Sequence, residues 1–341
     1  MNRSSFSGDN SNLDLIRAVA VLDVFFAHLT GIVWGPSEVA WHFGQMGVLI
    51  FFVHTSMVLM LSLERNGRDG WPLAADFFIR RWFRIYPLAI VCVTIAFIAS
   101  SQRSWAVFAA NLTLTTNLTY MPEMVRGLWT LPLEVQMYIL LPPLFFLLKG
   151  VRIHWVVFTW GVAVLLGIAQ PFISGRLDVL AFAPCFFGGI LAWRLSRDRS
   201  PTKSGVWWPL AFVATWAIWL PASRELHLYY RWAFCLALGL TIPWFTEIPW
   251  QPVRVAAKTV AKYSYGIYLS HFAIMEFAFE TLGRQGLIVK WAAFGTLAVT
   301  VPVLLFHFIE QPMINVGRRL AENLRPIGRP AGEPGGLQAA S

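Results

Sequence analysis

The 341 residues are 57% hydrophobic and only 13% charged, against roughly a quarter charged in an average soluble domain, which excludes an ordinary water-soluble fold. The net charge of +9 does not indicate nucleic acid in such a chain, because cytoplasmic loops of membrane proteins collect Lys and Arg; a nucleic-acid partner is excluded. Cys92, Cys185 and Cys235 each lie inside an apolar run without the close partner that a zinc or redox motif requires, so no metal or prosthetic group is expected.

Apolar runs near the roughly 20 residues needed to cross a bilayer predict an all-α, polytopic integral membrane bundle of about ten transmembrane helices, at 14–33, 44–63, 86–102, 133–149, 154–171, 178–196, 206–221, 230–246, 263–281 and 287–309. Residues 1–12 form a polar N-terminus without the order of a cleaved signal peptide. Residues 13–312 make one membrane domain. The segment 313–341 is basic and rich in Gly, Pro and Ala, reads as a disordered tail, and leaves no room for a second soluble domain. With alternating spans, most of the 27 basic residues share one side, among them Arg80, Arg81, Arg84, Arg152, Arg194, Arg197, Arg254 and Lys262. Arg103, Arg126, Arg176, Arg224, Arg231, Arg284 and Lys290 fall on the other. That bias predicts two cytoplasmic termini in a multi-pass membrane protein.

The first run carries Arg17 and His28, which a helix places within about 20° of one face and about 16 Å apart. Ionisable groups at membrane depth cost about 2.5–3.5 kcal/mol each and by default mark a cavity or a pathway, so His28 is read as functional. Asp14 lies one turn from Arg17, at pairing distance. Asp23 points about 140° away from His28; it is expected to meet another helix.

In the joint before the third run, Arg81 and Arg84 share a face, with Arg80 beside them. A guanidinium fork suits a phosphate-bearing donor, and anchoring to anionic headgroups explains the cluster equally well. The stretch 104–130 is too polar for a span and too rich in Leu, Trp and Phe for a solvated loop; it is read as re-entrant or as the cover of an outward-facing cavity, where an acceptor is held. Glu134 and Tyr138 open the next helix. Glu134 is open to three chemical roles, accepting a proton, orienting an imidazole or binding a sugar hydroxyl, and to the plain one of complementing the helix dipole. Near the end of the chain Tyr268 and His271 stand one turn apart, with function and interhelical packing weighted equally. Pro312 is expected to stop the last helix.

Taken together these residues resemble the acyltransferase-3 family of bacterial membrane O-acyltransferases. The resemblance runs from Leu13 to about Pro312 and rests on the Arg17 to His28 spacing, on Arg81-x-x-Arg84 leading into Ile85-Tyr86-Pro87, and on Trp129-x-Leu131-x-x-Glu134-x-x-x-Tyr138. Met46 to Val53, Tyr265 to His271 and Glu310-Gln311-Pro312 are weaker marks. His54-Thr55-Ser56 departs from the Ile-Ser-Gly usual there and adds a second buried imidazole. The resemblance implies that His28 is the catalytic histidine accompanied by Arg17, that Arg81 and Arg84 help hold acyl-coenzyme A, acetyl-CoA by default, and that the hydroxyl acceptor, a sugar or surface polysaccharide, is reached from the opposite side of the bilayer. It also implies that the esterase-like C-terminal domain of some relatives is missing. Glu134 is assigned to orienting the acceptor or polarising the site. The alternative reading is a transporter or flippase of a glycan or lipid-linked intermediate, against which stands the lack of an internal repeat.

Overall fold

The first apolar run becomes helix α1 (Ser11–Trp34) because Asn10 takes an extended backbone and its side chain accepts the N–H of Asn12, satisfying part of the orphaned first turn. The computed structural model describes residues 10–101, 103–222 and 226–323. Ser37 caps α2 (Glu38–Arg65) through the N–H of Ala40, and Asp69 caps α3 (Gly70–Ala99). There follow α4 (Trp105–Leu112), α5 (Thr116–Thr119), α6 (Thr130–Leu148), α7 (Ile153–Ile173), α8 (Asp178–Asp198), α9 (Trp208–Trp219), α10 (His227–Thr241), α11 (Gln251–Met275), α12 (Leu287–Leu305) and α13 (Gln311–Asn323). π-Helical turns continue α11 over Glu276–Thr281 and α12 over Phe306–Glu310. No strand occurs among the described residues; Lys203 and Phe245 form one isolated bridge. The all-helical class is as expected.

Helix α2 is hydrophobic on every side, as a helix surrounded by others must be, and 83% of its most apolar stretch is buried. It packs against α1, α6, α8 and α10. Small residues permit the close approach. A Cβ at Gly47 would lie 2.5 Å from the carbonyl oxygen of Ala20 on α1, and one at Gly189 would lie 2.1 Å from the carbonyl oxygen of Val53. Ser56 Oγ stands 2.7 Å from the carbonyl of Phe186 and so ties α2 to α8. The departure at His54-Thr55-Ser56 therefore leaves α2 a continuous helix. At the periphery α7 exposes Trp155, Phe158, Leu165 and Phe172, a surface suited to lipid rather than water. The start of α1 is pinned to the α10–α11 connection: Asn12 Nδ2 donates to the carbonyl of Thr246 and the Ile248 N–H donates to Asn12 Oδ1, both at 3.0 Å. That clamp sets the register of α1 against α11.

Each of the ten expected runs coincides with a helix, but seven helices among the described residues are long and apolar enough to cross a membrane. The 12 residues of α9 and 15 of α10 are shorter than the roughly 20 that a span needs, and α11 is lengthened by a polar first half bearing Arg254, Lys258 and Lys262. Three boundaries need correction. Helix α3 begins at Gly70, so Arg81 and Arg84 lie within a helix rather than in a joint; the charges that disguised it are compensated, Asp76 pairing with Arg68 and Arg80 and Glu310 facing Arg84. The stretch 104–130 folds into α4, α5 and an irregular segment over 120–129. Pro312 does not stop the last helix. It stands at the second position of α13, just past a π turn that has reset the hydrogen-bond register, where its missing N–H costs little. The expected tail is thus helical as far as Asn323, with Gly317 seated against Phe83 of α3. Residues 1–9 and 324–341, the rest of the two termini, lie outside the described residues.

Candidate active site

Five helices enclose a cavity of about 810 Å³, counting its open mouth, and the charged residues singled out in the sequence meet there: Arg17 from α1, Arg81 and Arg84 from α3, and Glu134 and Tyr138 from α6, with His54 from α2 and Tyr265 and Tyr268 from α11. Along α1 the lining residues are Arg17, Ala20, Val21 and Val24. His28 is one further turn along, so the cavity climbs the helix from the arginine and ends beneath the histidine.

Three guanidiniums face two carboxylates. Arg84 Nη1 lies 3.2 Å from Glu310 Oε2. Arg17 Nε donates to Ser264 Oγ at 2.6 Å, and its guanidinium stands 5.3 Å from the ring of Phe51. Arg81 Nε is buried and has no hydrogen-bond partner among the described residues. Neither Arg17 nor Arg81 has a carboxylate at ion-pair distance among the described residues. Glu134 accepts the phenolic proton of Tyr138 at 2.5 Å, which anchors the carboxylate to its own helix. It does not reach His28. A buried cation without a carboxylate is costly, and two of them converge on this cavity. Arg80, by contrast, is taken up by Asp76 at 2.9 Å.

Above the cavity the expected histidine has a partner. His28 Nδ1 lies 2.9 Å from His271 Nε2, and the rings are stacked at 14° with centroids 5.1 Å apart. His271 Nδ1 in turn lies 2.6 Å from the carbonyl oxygen of Tyr268. The Tyr268 hydroxyl donates to the carbonyl of Gly127 and lies 2.6 Å from Thr130 Oγ1. Since Thr130 and Tyr268 also line the cavity, these two residues join its arginine end to the histidine pair.

The segment 120–129 folds over this pair. Gly127 holds φ at +82°, and a Cβ there would come within 3.1 Å of the Phe272 ring, so glycine is required by both backbone and space. Phe272 stands 4.3 Å from His28, centroid to centroid. Arg126 stands over the Phe272 ring at 5.3 Å and pairs with Glu276 at 2.8 Å. Desolvation pushes the Glu123 carboxyl above its ordinary pKa, and the nearby backbone N–H groups of Trp129, Gly127 and Leu128 pull it back only in part. Gly127 and Arg126 of the 104–130 stretch therefore pack against Phe272 beside the histidine pair.

A family model described as an acyltransferase domain matches residues 10–307. The chain belongs to the acyltransferase-3 family. Among relatives of this acyltransferase-3 protein, a Staphylococcus aureus (strain COL) protein named "Putative O-acetyltransferase" is 26% identical over 369 residues, covering 92% of this chain and 58% of its own length. "Nodulation protein 10" of Rhizobium leguminosarum bv. viciae is 26% identical over 373 residues, covering 92% of this chain and 97% of its own length. The chain thus spans less than two thirds of the staphylococcal relative. No solved structure matches it.

Several residues of the site escape sequence reasoning. Nothing in the primary structure links Arg84 to Glu310 or Arg17 to Ser264, because the partners are far apart in the chain. The Asp76–Arg80 pair was legible at i, i+4. Asp23 does meet another helix, its Cβ lying 3.0 Å from where a Gly47 Cβ would sit, but its Oδ2 is buried without a hydrogen-bond partner among the described residues.

Proposed function

We propose that the chain is a membrane O-acyltransferase that moves an acyl group, acetyl by default, from acyl-coenzyme A to a hydroxyl of a sugar or surface polysaccharide, with His28 as general base. The observation that carries this reading is the pair of guanidiniums, Arg17 and Arg81, that reach one cavity with no carboxylate at ion-pair distance among the described residues, Arg17 lying below His28 on one face of α1. Phosphates of the donor would pair with Arg81 and Arg84, and the pantetheine arm would follow the cavity along α1, a rise of about 16 Å from Arg17 to His28. The acceptor would approach from the side covered by 120–129. His28 takes the proton of the acceptor hydroxyl as its oxygen attacks the thioester carbonyl. When the tetrahedral intermediate collapses, the C–S bond breaks and the same nitrogen returns the proton to the departing thiolate. An acyl-histidine route uses the same nitrogen as nucleophile; label trapped on the protein in the absence of acceptor would reveal it.

The topology that suits this reading has ten crossings, counting α9, α10 and α11, with both termini cytoplasmic in a bacterial inner membrane. The test is equilibrium binding of labelled acetyl-coenzyme A to the purified protein in detergent, comparing wild type with Arg81→Ala/Arg84→Ala. Saturable binding that free coenzyme A displaces and the double variant weakens is expected, with His28→Ala binding normally yet failing to transfer. A folded wild type that binds no acetyl-coenzyme A would remove the donor assignment, and transport of a glycan or lipid-linked substrate would then be measured.

A further inference from the structure

We infer that His271 is a positioning residue that holds His28 in the tautomer with its proton on Nδ1 and a bare lone pair on Nε2. The inference rests on the transferase reading for its purpose, and on geometry alone for its content. A backbone carbonyl can only accept, so the 2.6 Å contact from His271 Nδ1 to the carbonyl oxygen of Tyr268 puts the His271 proton on Nδ1. In a neutral imidazole the other nitrogen then accepts. His271 Nε2 is therefore the acceptor in its 2.9 Å contact with His28 Nδ1, and His28 Nδ1 must carry the proton. What remains is His28 Nε2, which makes no hydrogen bond to any described residue.

The arrangement around the two rings keeps this order. His271 is 2% exposed, packed against Phe25 and Phe272, and among the described residues no carboxylate hydrogen-bonds either ring to hold a second proton. The carbonyl that orients His271 belongs to Tyr268, whose side chain is itself fixed by Gly127 and Thr130. A rigid helix turn thus chooses the tautomer of a residue on another helix, as orienting groups do for catalytic histidines elsewhere.

The consequence is chemical. The lone pair that takes the acceptor's proton, or attacks the thioester carbon in the covalent route, is always on Nε2. When Nε2 gains that proton, the Nδ1–H bond to His271 stabilises the resulting imidazolium, and loss of the Nε2 proton to the thiolate restores the starting tautomer. His271 itself neither gains nor loses a proton.

The test reads the tautomer directly. The chain has seven histidines; with all of them ¹⁵N-labelled in the full-length protein in lipid nanodiscs, the His28 resonances are assigned by their disappearance in His28→Asn. An unprotonated Nε2 and a protonated Nδ1 are expected for wild type, with the same pattern in His271→Gln, whose side-chain oxygen can still accept from Nδ1. In His271→Leu the Nε2–H tautomer should appear. A wild-type His28 protonated on Nε2, or a tautomer unchanged in His271→Leu, would overturn the inference. These spectra do not depend on turnover, so a failure of the acyltransferase reading would be separately visible as loss of acetyl-coenzyme A binding. In the kinetic arm, His271→Leu should lower kcat about 100-fold or more, in the range of a displaced general base, with KM for acetyl-coenzyme A within about twofold and His271→Gln within about tenfold of wild-type kcat. Equal losses in the two variants would also refute the tautomer role.

Discussion

Arg81 and Arg84 share a helix face and a cavity, yet the structure predicts opposite costs for removing them. Arg84 faces Glu310, whose side chain is fully buried, at 3.2 Å. Replacing Arg84 by Ala strands that carboxylate, and breaking a buried pair from one side costs about 3–5 kcal/mol. Among the described residues Arg81 has no carboxylate to strand and its Nε is already without a partner, so Arg81→Ala should leave thermal stability unchanged or slightly raised. Binding should behave differently. A hydrogen bond between a guanidinium and a phosphate contributes about 1.5–3 kcal/mol, so Arg81→Ala should weaken acetyl-coenzyme A binding about 10- to 100-fold. Arg84→Ala should lose both properties, and Arg84→Ala/Glu310→Gln should regain stability without regaining affinity. The assays are calorimetric titration with acetyl-coenzyme A and thermal unfolding of the same preparations. Normal affinity in Arg81→Ala, or equal destabilisation by the two single variants, would refute the reasoning.

Gly189→Ala should lower the unfolding temperature, a loss of about 1–3 kcal/mol typical of overpacking, because the new Cβ would lie 2.1 Å from both the Val53 carbonyl and Ser56 Oγ; an unchanged melting curve would contradict the α2–α8 packing. Asp76 accepts from Asn66, Arg68 and Arg80, so Asp76→Ala should destabilise by about 3–5 kcal/mol, read as a fall in folded yield in detergent, while Arg80→Ala should cost less because Arg68 stays paired. Ser264→Ala removes the 2.6 Å bond that orients Arg17 and should weaken donor binding by about tenfold, the lower end of what one charged hydrogen bond contributes; titration with acetyl-coenzyme A checks it.

What the sequence by itself determined was the class of solvent and several of the residues that meet in the candidate site. Apolar runs of bilayer length have few other physical solutions, and the expense of ionisable groups among them marked Arg17, His28 and Glu134 before any geometry was known. The same-face relation of Arg17 and His28 followed from helical periodicity alone, and the cavity does run up that face. What only the tertiary structure decided were pairings between residues distant in sequence. Arg81 and Arg84 look alike in the chain and differ only because Glu310, from the far end of it, returns to one of them. Glu134 looked equal to orienting an imidazole, but Tyr138 holds it one turn away in its own helix, and the partner of His28 is His271, delivered by α11. Helix ends were the least legible part: α3 began inside a charged stretch and α13 continued past a proline, because compensation by Asp76 and Glu310 and a π turn at Phe306–Glu310 are effects of packing, and packing has no signature in local hydropathy.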